Sequence, residues 1–429
     1  MRYSRYMSNG AFYLRALAVA LLAACGPAAA AREPPALAEL ARSMLGAGQG
    51  VYVEAADGTV LLAQAAQRAV HPASVSKVPT TLALLRKLGP DFRFSTRFLA
   101  IGPVRADTLE GDLLVEGGGD PCFVDEDALL VAQQLNQLGV RRVRGSLRAQ
   151  APLIFDWRDA AAVARLQRVL SGTFPPAAWQ AVRALQPAAS AAPPALRFDG
   201  ATVEAAAADP PRLLLVHRSQ TLLDLAKQLN DYSNNIFKPL AEAAGGAAAV
   251  ETLARAAVPA DMRGEIRLGD GAGTDARNRL SPRAAVKLLR ALEAELARSG
   301  HRLVDILPVA GVDAGTLHER LAAPDQAGRV VGKTGTFGDY GASALIGAIP
   351  TRDRGTVYFA ILNHGLPVPL ARRRQDRFVG ALLAQLQSMP WAYERDARTA
   401  IARAQVEVLP VIAATPPAAG TAAAAPTGR

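Results

Sequence analysis

Cysteine, histidine and lysine are all scarce in this chain of 429 residues. Two cysteines, Cys25 and Cys122, are too few for a disulfide-stabilised scaffold, and neither has the spacing of a metal-ligand set. Five scattered histidines form no zinc pattern, so we predict no metal and no organic cofactor. Only six of the 48 basic residues are lysines, which makes a lysine inside a motif unusually informative.

Acidic residues are also outnumbered, 38 against 48 basic ones, which gives a net charge of +10. Such a charge is typical of proteins that bind nucleic acids or membranes. Here the arginines are spread singly or in short groups, as at 141–142 and 372–374, without interleaved aromatic residues. We therefore expect a solvated basic surface and no nucleic-acid partner; such a surface also suits an anionic cell-wall polymer.

The first thirty residues predict an export signal. Arginines precede an apolar run over 16–24, which is shorter than the roughly 20 residues that span a bilayer, and small residues follow it. Residues 22–25 resemble a bacterial lipobox, in which Cys25 would carry a lipid anchor in the membrane. The alternative is ordinary cleavage near 28–31. Both readings predict a periplasmic or cell-envelope protein.

The rest of the chain predicts a mixed α/β fold of two domains and a tail. Residues 32–90 and 212–395 form one domain, 91–211 form an inserted α+β module with an Ala/Pro-rich connector at 186–211, and 405–429 form a disordered tail. Helical periodicity predicts helices at 31–48, 74–88, 126–138, 160–185, 222–230, 236–244, 248–256, 282–298 and 366–387. Strands are predicted at 50–54, 59–64, 92–101, 112–116, 143–149, 329–336, 342–348 and 357–362.

Ser74 and Lys77 form the first chemical motif, at the start of a predicted helix. A spacing of three places both side chains on one face of a helical turn. A serine needs a nearby base to become a nucleophile, and a desolvated lysine amine can supply one. Taken alone, the pair is more typical of a helix-capping serine beside a surface lysine.

Two further motifs follow in the chain. Ser233 and Asn235, at a junction between helices, could relay a proton and hold a substrate carbonyl, or could simply cap a helix. In residues 332–336, Lys333 and Thr334 could bind a carboxylate, and Gly335 lets a substrate lie close to the strand.

An oxyanion hole is predicted from two backbone N–H groups, those of Thr336 and Ser74. The order Ser-x-x-Lys, Ser-x-Asn, Lys-Thr-Gly is the motif set of the penicillin-recognising enzymes. The three motifs together therefore favour an enzyme.

With these motifs and longer matches, the chain resembles the D-alanyl-D-alanine carboxypeptidase/endopeptidase family, the class C low-molecular-mass penicillin-binding proteins. The longer matches lie at 88–94, 111–121, 270–273 and 310–317. The resemblance implies a penicillin-recognising three-layer sandwich with a five-stranded antiparallel sheet between helices. It implies hydrolysis of D-Ala-D-Ala stem peptides and cross-links of peptidoglycan, and acylation by β-lactam antibiotics.

By the same resemblance, Ser74 is the acylated nucleophile, Lys77 its base, Ser233 and Asn235 the relay, and Lys333 with Thr334 the carboxylate site. Arg277 matches an arginine that can hold the side-chain carboxylate of diaminopimelate; a surface ion pair is the alternative. The separation of 159 residues from Ser74 to Ser233 implies a shortened insertion. Asp120, before a proline, is expected to form a turn rather than to act as an acid.

Two other functions stay open at this point. A β-lactamase of the glutamate-assisted kind needs a base for deacylation, and Glu242, Glu251 and Glu265 lack the expected sequence setting. A catalytically silent peptidoglycan-binding lipoprotein is the second alternative, although all three motifs are intact. The sequence does not determine the oligomeric state.

Overall fold

A computed structural model describes residues 36–408, except 151, 159, 187–191, 205–209, 234 and 339–340. The predicted export signal, Cys25 and the tail from 409 onward lie outside the described residues. Within the described part, no helix is both long and apolar enough to cross a membrane.

A five-stranded antiparallel sheet forms the centre of the fold, as predicted. Its order in space is Val331–Phe337, Ala342–Pro350, Thr356–Asn363, Gly50–Glu54 and Val60–Gln64. The last two strands form the predicted hairpin. In its turn, Gly58 adopts a positive φ of 92°, and Asp57 Oδ1 accepts a hydrogen bond of 2.9 Å from the Thr59 N–H. The strand Val331–Phe337 lies at the edge of the sheet.

Helices cover both faces of this sheet. Along Thr356–Asn363, Phe359 and Ile361 pack into one hydrophobic cluster, and Tyr358 and Ala360 pack into the other. This period of two places an apolar side chain on each face in turn, which confirms the predicted three-layer sandwich. The helices of the described chain are Leu37–Leu45, Lys77–Leu88, Asp125–Gln137, Ala162–Leu170, Pro176–Leu185, Leu222–Tyr232, Phe237–Ala243, Ala247–Ala256, Pro282–Ala297, Val368–Gln385 and Ala400–Arg403.

A second sheet of six strands forms the inserted α+β module. Its order is Thr202–Glu204, Leu147–Gln150, Asp112–Glu116, Ser95–Ile101, Arg212–Arg218 and Gln405–Val408. It has its own hydrophobic cluster, which includes Phe98, Leu129 and Leu166. The remaining short strands are Val104–Arg105, Thr108–Leu109, Arg142–Val143, Arg197–Phe198, Ile266–Arg267 and Arg279–Leu280.

Two predicted boundaries are wrong. The strand Arg212–Arg218 pairs with Ser95–Ile101 and therefore lies in the module's sheet, not in the domain that was predicted to resume at 212. Gln405–Val408, placed in a disordered tail, pairs with Arg212–Arg218 and closes the edge of the same sheet. The four residues Gln405–Val408 are too few for a strand to be predicted from alternating hydrophobicity. Their strand forms because Arg212–Arg218, almost 200 residues earlier in the chain, provides the hydrogen-bond partners.

The inserted module contains a buried cluster of Asp120, Asp127 and His217. Asp127 Oδ1 lies 3.1 Å from His217 Nε2, and Asp120 Oδ2 lies 3.8 Å from His217 Nδ1. Asp120 Oδ1 accepts a hydrogen bond from the Cys122 N–H at 2.9 Å, which is the turn expected of this residue. Burial raises the pKa of Asp120 to about 7. Burial alone would lower the pKa of His217, but the charge of Asp127, its hydrogen bond and the charge of Asp120 together outweigh burial and raise that pKa.

This cluster predicts a pH-dependent stability. Because the pKa of Asp120 is higher in the folded chain, the stability that its carboxyl group contributes is fully present below about pH 4 and is lost as the pH rises to about 7. The raised pKa of His217 acts in the same direction. Asp120→Asn removes one of these titrations and keeps the turn. Between about pH 4 and 7 we expect the wild type to lose up to about 1.4 kcal/mol per pH unit relative to this variant. Urea unfolding of both proteins at several pH values measures the difference. The same dependence of the free energy of unfolding on pH in both proteins would contradict this prediction.

Candidate active site

Ser74 lies in a short 3-10 turn, Ala73–Ser76, which runs directly into the helix Lys77–Leu88. Ala73 has a left-handed backbone, with a φ of 48°, which an L residue adopts only under constraint. The constraint is close packing: a Cβ atom on Gly273 would lie 2.0 Å from the Ala73 carbonyl oxygen. Packing against Gly273 therefore fixes the position of the turn. Within it, Ser74 is partly accessible to solvent and its neighbours Ala73 and Val75 are buried.

Lys77 brings the first and second motifs together. Its Nζ lies 2.7 Å from Ser74 Oγ, 3.3 Å from Asn235 Oδ1 and 2.6 Å from the Ala272 carbonyl oxygen. The side chain is completely buried. Burial lowers the pKa of Lys77 to about 7, against the opposing charge of Asp270. Near neutral pH the amine is thus partly unprotonated and within reach of the Ser74 hydroxyl proton.

Ser233 ends the helix Leu222–Tyr232 in a left-handed conformation, with a φ of 56° and a ψ of 40°. This backbone is uncommon for a serine, and it is typical of a residue whose position is set by its surroundings. Ser233 Oγ accepts a hydrogen bond of 2.8 Å from Lys333 Nζ. The second and third motifs are therefore in direct contact.

Lys333 lies on the edge strand Val331–Phe337 and is completely buried. Besides Ser233, its Nζ donates to the Thr334 carbonyl oxygen at 3.1 Å. Burial, and then the charge of Lys77, hold the pKa of Lys333 well below its usual range. Burial thus disfavours the charge of both amines, and the charge of Lys77 further disfavours that of Lys333.

The edge strand lies against the Ser74 turn. A Cβ atom on Gly335 would lie 2.5 Å from the Pro72 carbonyl oxygen, so only glycine permits this approach. The Gly332 N–H donates to the Pro308 carbonyl oxygen, away from the neighbouring strand. Because N–H directions alternate along a strand, the N–H groups of Thr334 and Thr336 also face the open edge. This orientation suits the predicted oxyanion hole.

Arg277 and Cys25 are not placed in this group of contacts. Arg277 binds Asp275 through Nε and Nη2, with the shortest distance 2.6 Å, and its side chain is mostly exposed. This is the surface ion pair foreseen as the alternative. A role in binding diaminopimelate stays a prediction, and Cys25 lies outside the described residues.

Three residues that support or flank the site have no role predicted from the sequence. Thr316 accepts a hydrogen bond of 2.9 Å from Thr334 Oγ1. Asp270 accepts one of 2.8 Å from the Gly273 N–H and thereby holds the loop whose Ala272 carbonyl contacts Lys77. Arg372 Nη2 donates to Thr336 Oγ1 at 2.8 Å. Thr316 and Asp270 lie within the segments 310–317 and 270–273, in which the sequence resembles the family. No motif or resemblance in the sequence points to Arg372.

Chemically, the described site is a set of hydroxyl, amine and amide groups. Among the residues described, no three or more histidine, cysteine or acidic side chains are grouped as a metal site would require. A serine hydroxyl beside a buried amine, with N–H donors along the adjacent strand edge, is suited to acyl transfer through a covalent intermediate.

The comparisons with known proteins agree with this chemistry. The model of the D-Ala-D-Ala carboxypeptidase 3 (S13) family matches residues 36–161 and 183–385. Carboxypeptidase DacB of Mycolicibacterium smegmatis is 27% identical over 387 residues, which cover 80% of this chain and 82% of that protein.

Two solved structures share the fold. A predatory endopeptidase of Bdellovibrio bacteriovorus, acylated by penicillin G, aligns with a TM-score of 0.71 and 23% identity, covering 82% of this chain and 96% of that one. Penicillin-binding protein 4 of Haemophilus influenzae aligns with a TM-score of 0.57 and 18% identity, covering 80% and 98%. Since the family model matches most of the chain and the three motifs meet in one site, the chain belongs to the S13 family of D-Ala-D-Ala carboxypeptidases and is a serine hydrolase.

Proposed function

We propose that this protein hydrolyses D-Ala-D-Ala stem peptides and cross-links of peptidoglycan through an acyl-enzyme on Ser74. The observation that carries the proposal is the 2.7 Å contact between Ser74 Oγ and the buried amine of Lys77, whose pKa lies near 7. The peptidase family and the name of the mycobacterial relative support the substrate class.

The first step is acylation. Unprotonated Lys77 takes the proton of Ser74 while Oγ attacks the carbonyl carbon of the penultimate D-alanine. The oxyanion that forms is stabilised by the N–H groups of Ser74 and Thr336. Asn235, whose Oδ1 lies 3.3 Å from Lys77 Nζ, orients the amine and the substrate.

Collapse of the tetrahedral intermediate requires a proton on the leaving nitrogen. The C–N bond breaks, the Ser74 ester remains, and the proton passes from Lys77 to the departing D-alanine through the hydroxyl of Ser233. Lys333, 2.8 Å from Ser233 Oγ, orients this hydroxyl through their hydrogen bond. Water then hydrolyses the ester and regenerates Ser74.

Glutamate-assisted β-lactamase chemistry has less support. Glu251 pairs with Arg255 at 2.9 Å, and Glu265 pairs with Arg283, so both carboxylates are engaged in structural contacts. Glu242 lines a separate cleft of about 880 Å³ that contains no residue of the three motifs. Slow deacylation, and therefore a long-lived penicillin adduct, is the better expectation. Acylation of the fold neighbour by penicillin G supports the same expectation.

The cellular location is proposed on the sequence alone. The predicted export signal would direct the enzyme to the periplasm or cell envelope, where peptidoglycan is found, and the lipobox-like segment would attach it to the membrane through Cys25. A silent binding lipoprotein would share this location but would not turn over substrate.

The proposal predicts release of D-alanine from a peptide that ends in D-Ala-D-Ala, and none from the same peptide ending in L-Ala-L-Ala. Ser74→Ala is expected to reduce release below detection, because the acceptor of the acyl group is lost. Ser76→Ala is the matched control, since Ser76 is a buried serine of the same turn, and it should retain activity. Equal release by the wild type and Ser74→Ala would sink the proposal.

A further inference from the structure

We propose that His71 is a positioning residue of the active site, whose imidazole, neutral and with its proton on Nε2, holds the turn that carries Ser74. This inference rests on the proposed function, because it concerns acylation of the same serine. It adds a residue outside all three motifs, three positions before Ser74 in the chain. It also adds a second group, besides Lys77, whose protonation stops the reaction.

Hydrogen bonds at both ring nitrogens define the tautomer of His71. Nδ1 lies 3.1 Å from the backbone nitrogen of Ala73, whose N–H can only donate, so Nδ1 is the unprotonated nitrogen. Nε2 lies 3.0 Å from the Asp275 carbonyl oxygen, which can only accept, so Nε2 carries the proton. The side chain is buried, with 7% of its surface exposed. A second proton, on Nδ1, would therefore face the Ala73 N–H and replace a hydrogen bond by a repulsion.

The hydrogen bond from Ala73 acts on the most constrained residue of the turn. A φ of 48° is uncommon for an alanine and persists only where the surroundings hold it. Packing against Gly273 holds the carbonyl side of Ala73, and His71 binds its N–H. Since Ser74 is the next residue, loss of this bond would displace its hydroxyl from Lys77 and its N–H from the oxyanion.

The ring of His71 also joins the turn to two other segments of the site. It stacks on Phe337, at the end of the edge strand, with ring centroids 4.6 Å apart and 16° between the planes. Through Nε2 it binds the loop that contains Ala272, whose carbonyl oxygen contacts Lys77. One side chain thus contacts the turn, the edge strand and the loop, as a positioning residue requires.

Charged groups around the ring determine when His71 gains its second proton. Burial lowers the pKa of His71, and the charge of Arg279 lowers it further. Asp275, through its carbonyl oxygen and its charge, and Asp270 oppose this shift. Hydrogen bonds lower the pKa of both carboxyl groups, at Asp270 against the effect of burial, so both stay ionised above about pH 4. His71 is therefore protonated at a lower pH than Lys77, whose pKa is about 7.

Two variants separate the hydrogen bonds of His71. In His71→Asn the amide Oδ1 replaces Nδ1 and can accept from Ala73, whereas in His71→Gln the amide Nε2 replaces the ring Nε2 and the acceptor is lost. At about pH 8, His71→Gln is expected to lower the rate of acylation by a fluorescent penicillin by about 10- to 100-fold, because Ser74 is displaced. His71→Asn should retain most of the wild-type rate.

Thermal unfolding should show that both variants are folded. His301→Asn, which removes a half-buried ring 4.0 Å from Asp305, is the control and should acylate like the wild type. The two His71 variants both lose the stacked ring and differ in the hydrogen bond that they keep. Equal rates in the two, whether high or low, would overturn the proposal.

The pH profile gives a readout that a purely structural role would not change. Since acylation needs Lys77 and His71 both unprotonated, the logarithm of the wild-type rate should fall with a slope of about one below about pH 7, and of about two once His71 is protonated. His71→Asn does not titrate there and should keep a slope of about one. A wild-type profile with the same slopes as His71→Asn would overturn the proposal.

Nuclear magnetic resonance of the free protein does not depend on acylation. The His71 side-chain signal, assigned by its loss in His71→Asn, should be that of the neutral tautomer with the proton on Nε2. The Ala73 amide should keep its hydrogen-bonded shift in His71→Asn and lose it in His71→Gln. A proton on Nδ1, or the same Ala73 shift in both variants, would overturn the role of His71. A wild type that passes both tests and is never acylated would instead contradict the proposed function.

Discussion

Replacing Lys77 by arginine is expected to slow acylation of Ser74 by about 10³-fold or more, because the variant keeps a cation and loses the base. In the native site the amine lies 2.7 Å from Ser74 Oγ, and burial brings its pKa to about 7. A guanidinium cannot give up its proton at this pH, so it cannot accept the one from serine. The rate of labelling by a fluorescent penicillin measures the effect.

The acylation rate measured as a function of pH shows whether the unprotonated form of Lys77 is the active one. The pKa of Lys77 is lowered, so the active, unprotonated form increases as the pH rises, and the wild-type acylation rate should climb and level off above about 7. Lys77→Arg should lack this rise. Lys87→Arg, at an exposed position near the end of the same helix, is the control and should follow the wild type. A Lys77→Arg enzyme with wild-type rates would contradict the assignment of the base.

Asp313→Asn is expected to lower the free energy of unfolding by about 3 kcal/mol, since it breaks a buried ion pair. Asp313 Oδ2 lies 2.6 Å from Lys227 Nζ and accepts from the Val309 N–H at 2.8 Å, while Oδ1 accepts from the Tyr393 hydroxyl at 2.8 Å. The variant leaves the charge of Lys227 without its close partner. Urea unfolding of both proteins measures the loss.

We also expect Asp313→Asn to slow the reaction at the active site. The loop that follows Asp313 donates a hydrogen bond from the Thr316 N–H to the Asp231 carbonyl oxygen, two residues before Ser233, and Thr316 also accepts from Thr334 Oγ1. Loosening this loop should slow acylation by displacing Ser233 from Lys333. Glu407→Gln, which removes an exposed pair with Arg218 at 3.2 Å, is the control and should change stability little. Equal effects of the two variants would contradict this role.

Local chemistry made much of the fold predictable. The Asp57-Gly58 turn fixes a hairpin between adjacent strands, and the spacing of Ser74 and Lys77 alone places both side chains on one turn of helix. The alternation along the strand Thr356–Asn363 follows directly from its apolar residues. In each case the interacting residues are close in the sequence, so the local sequence pattern is sufficient to predict their contact.

Contacts between distant segments were the part that could not be predicted. The strand Gln405–Val408 exists because Arg212–Arg218 offers it a free edge. Arg372 meets Thr336 across 36 residues, and neither has a local pattern that signals the contact. Burial of the two active-site lysines, which sets their pKa values, likewise depends on the packing of the whole domain around them.

The intact mass of the full chain after incubation with penicillin G shows whether Ser74 is the residue that is acylated. We predict one stable adduct with the mass of a single penicillin molecule, located on the peptide that contains Ser74, present in Ser76→Ala and absent in Ser74→Ala. A folded wild-type protein that forms no adduct and leaves the antibiotic intact, or an adduct that survives in Ser74→Ala, would contradict it.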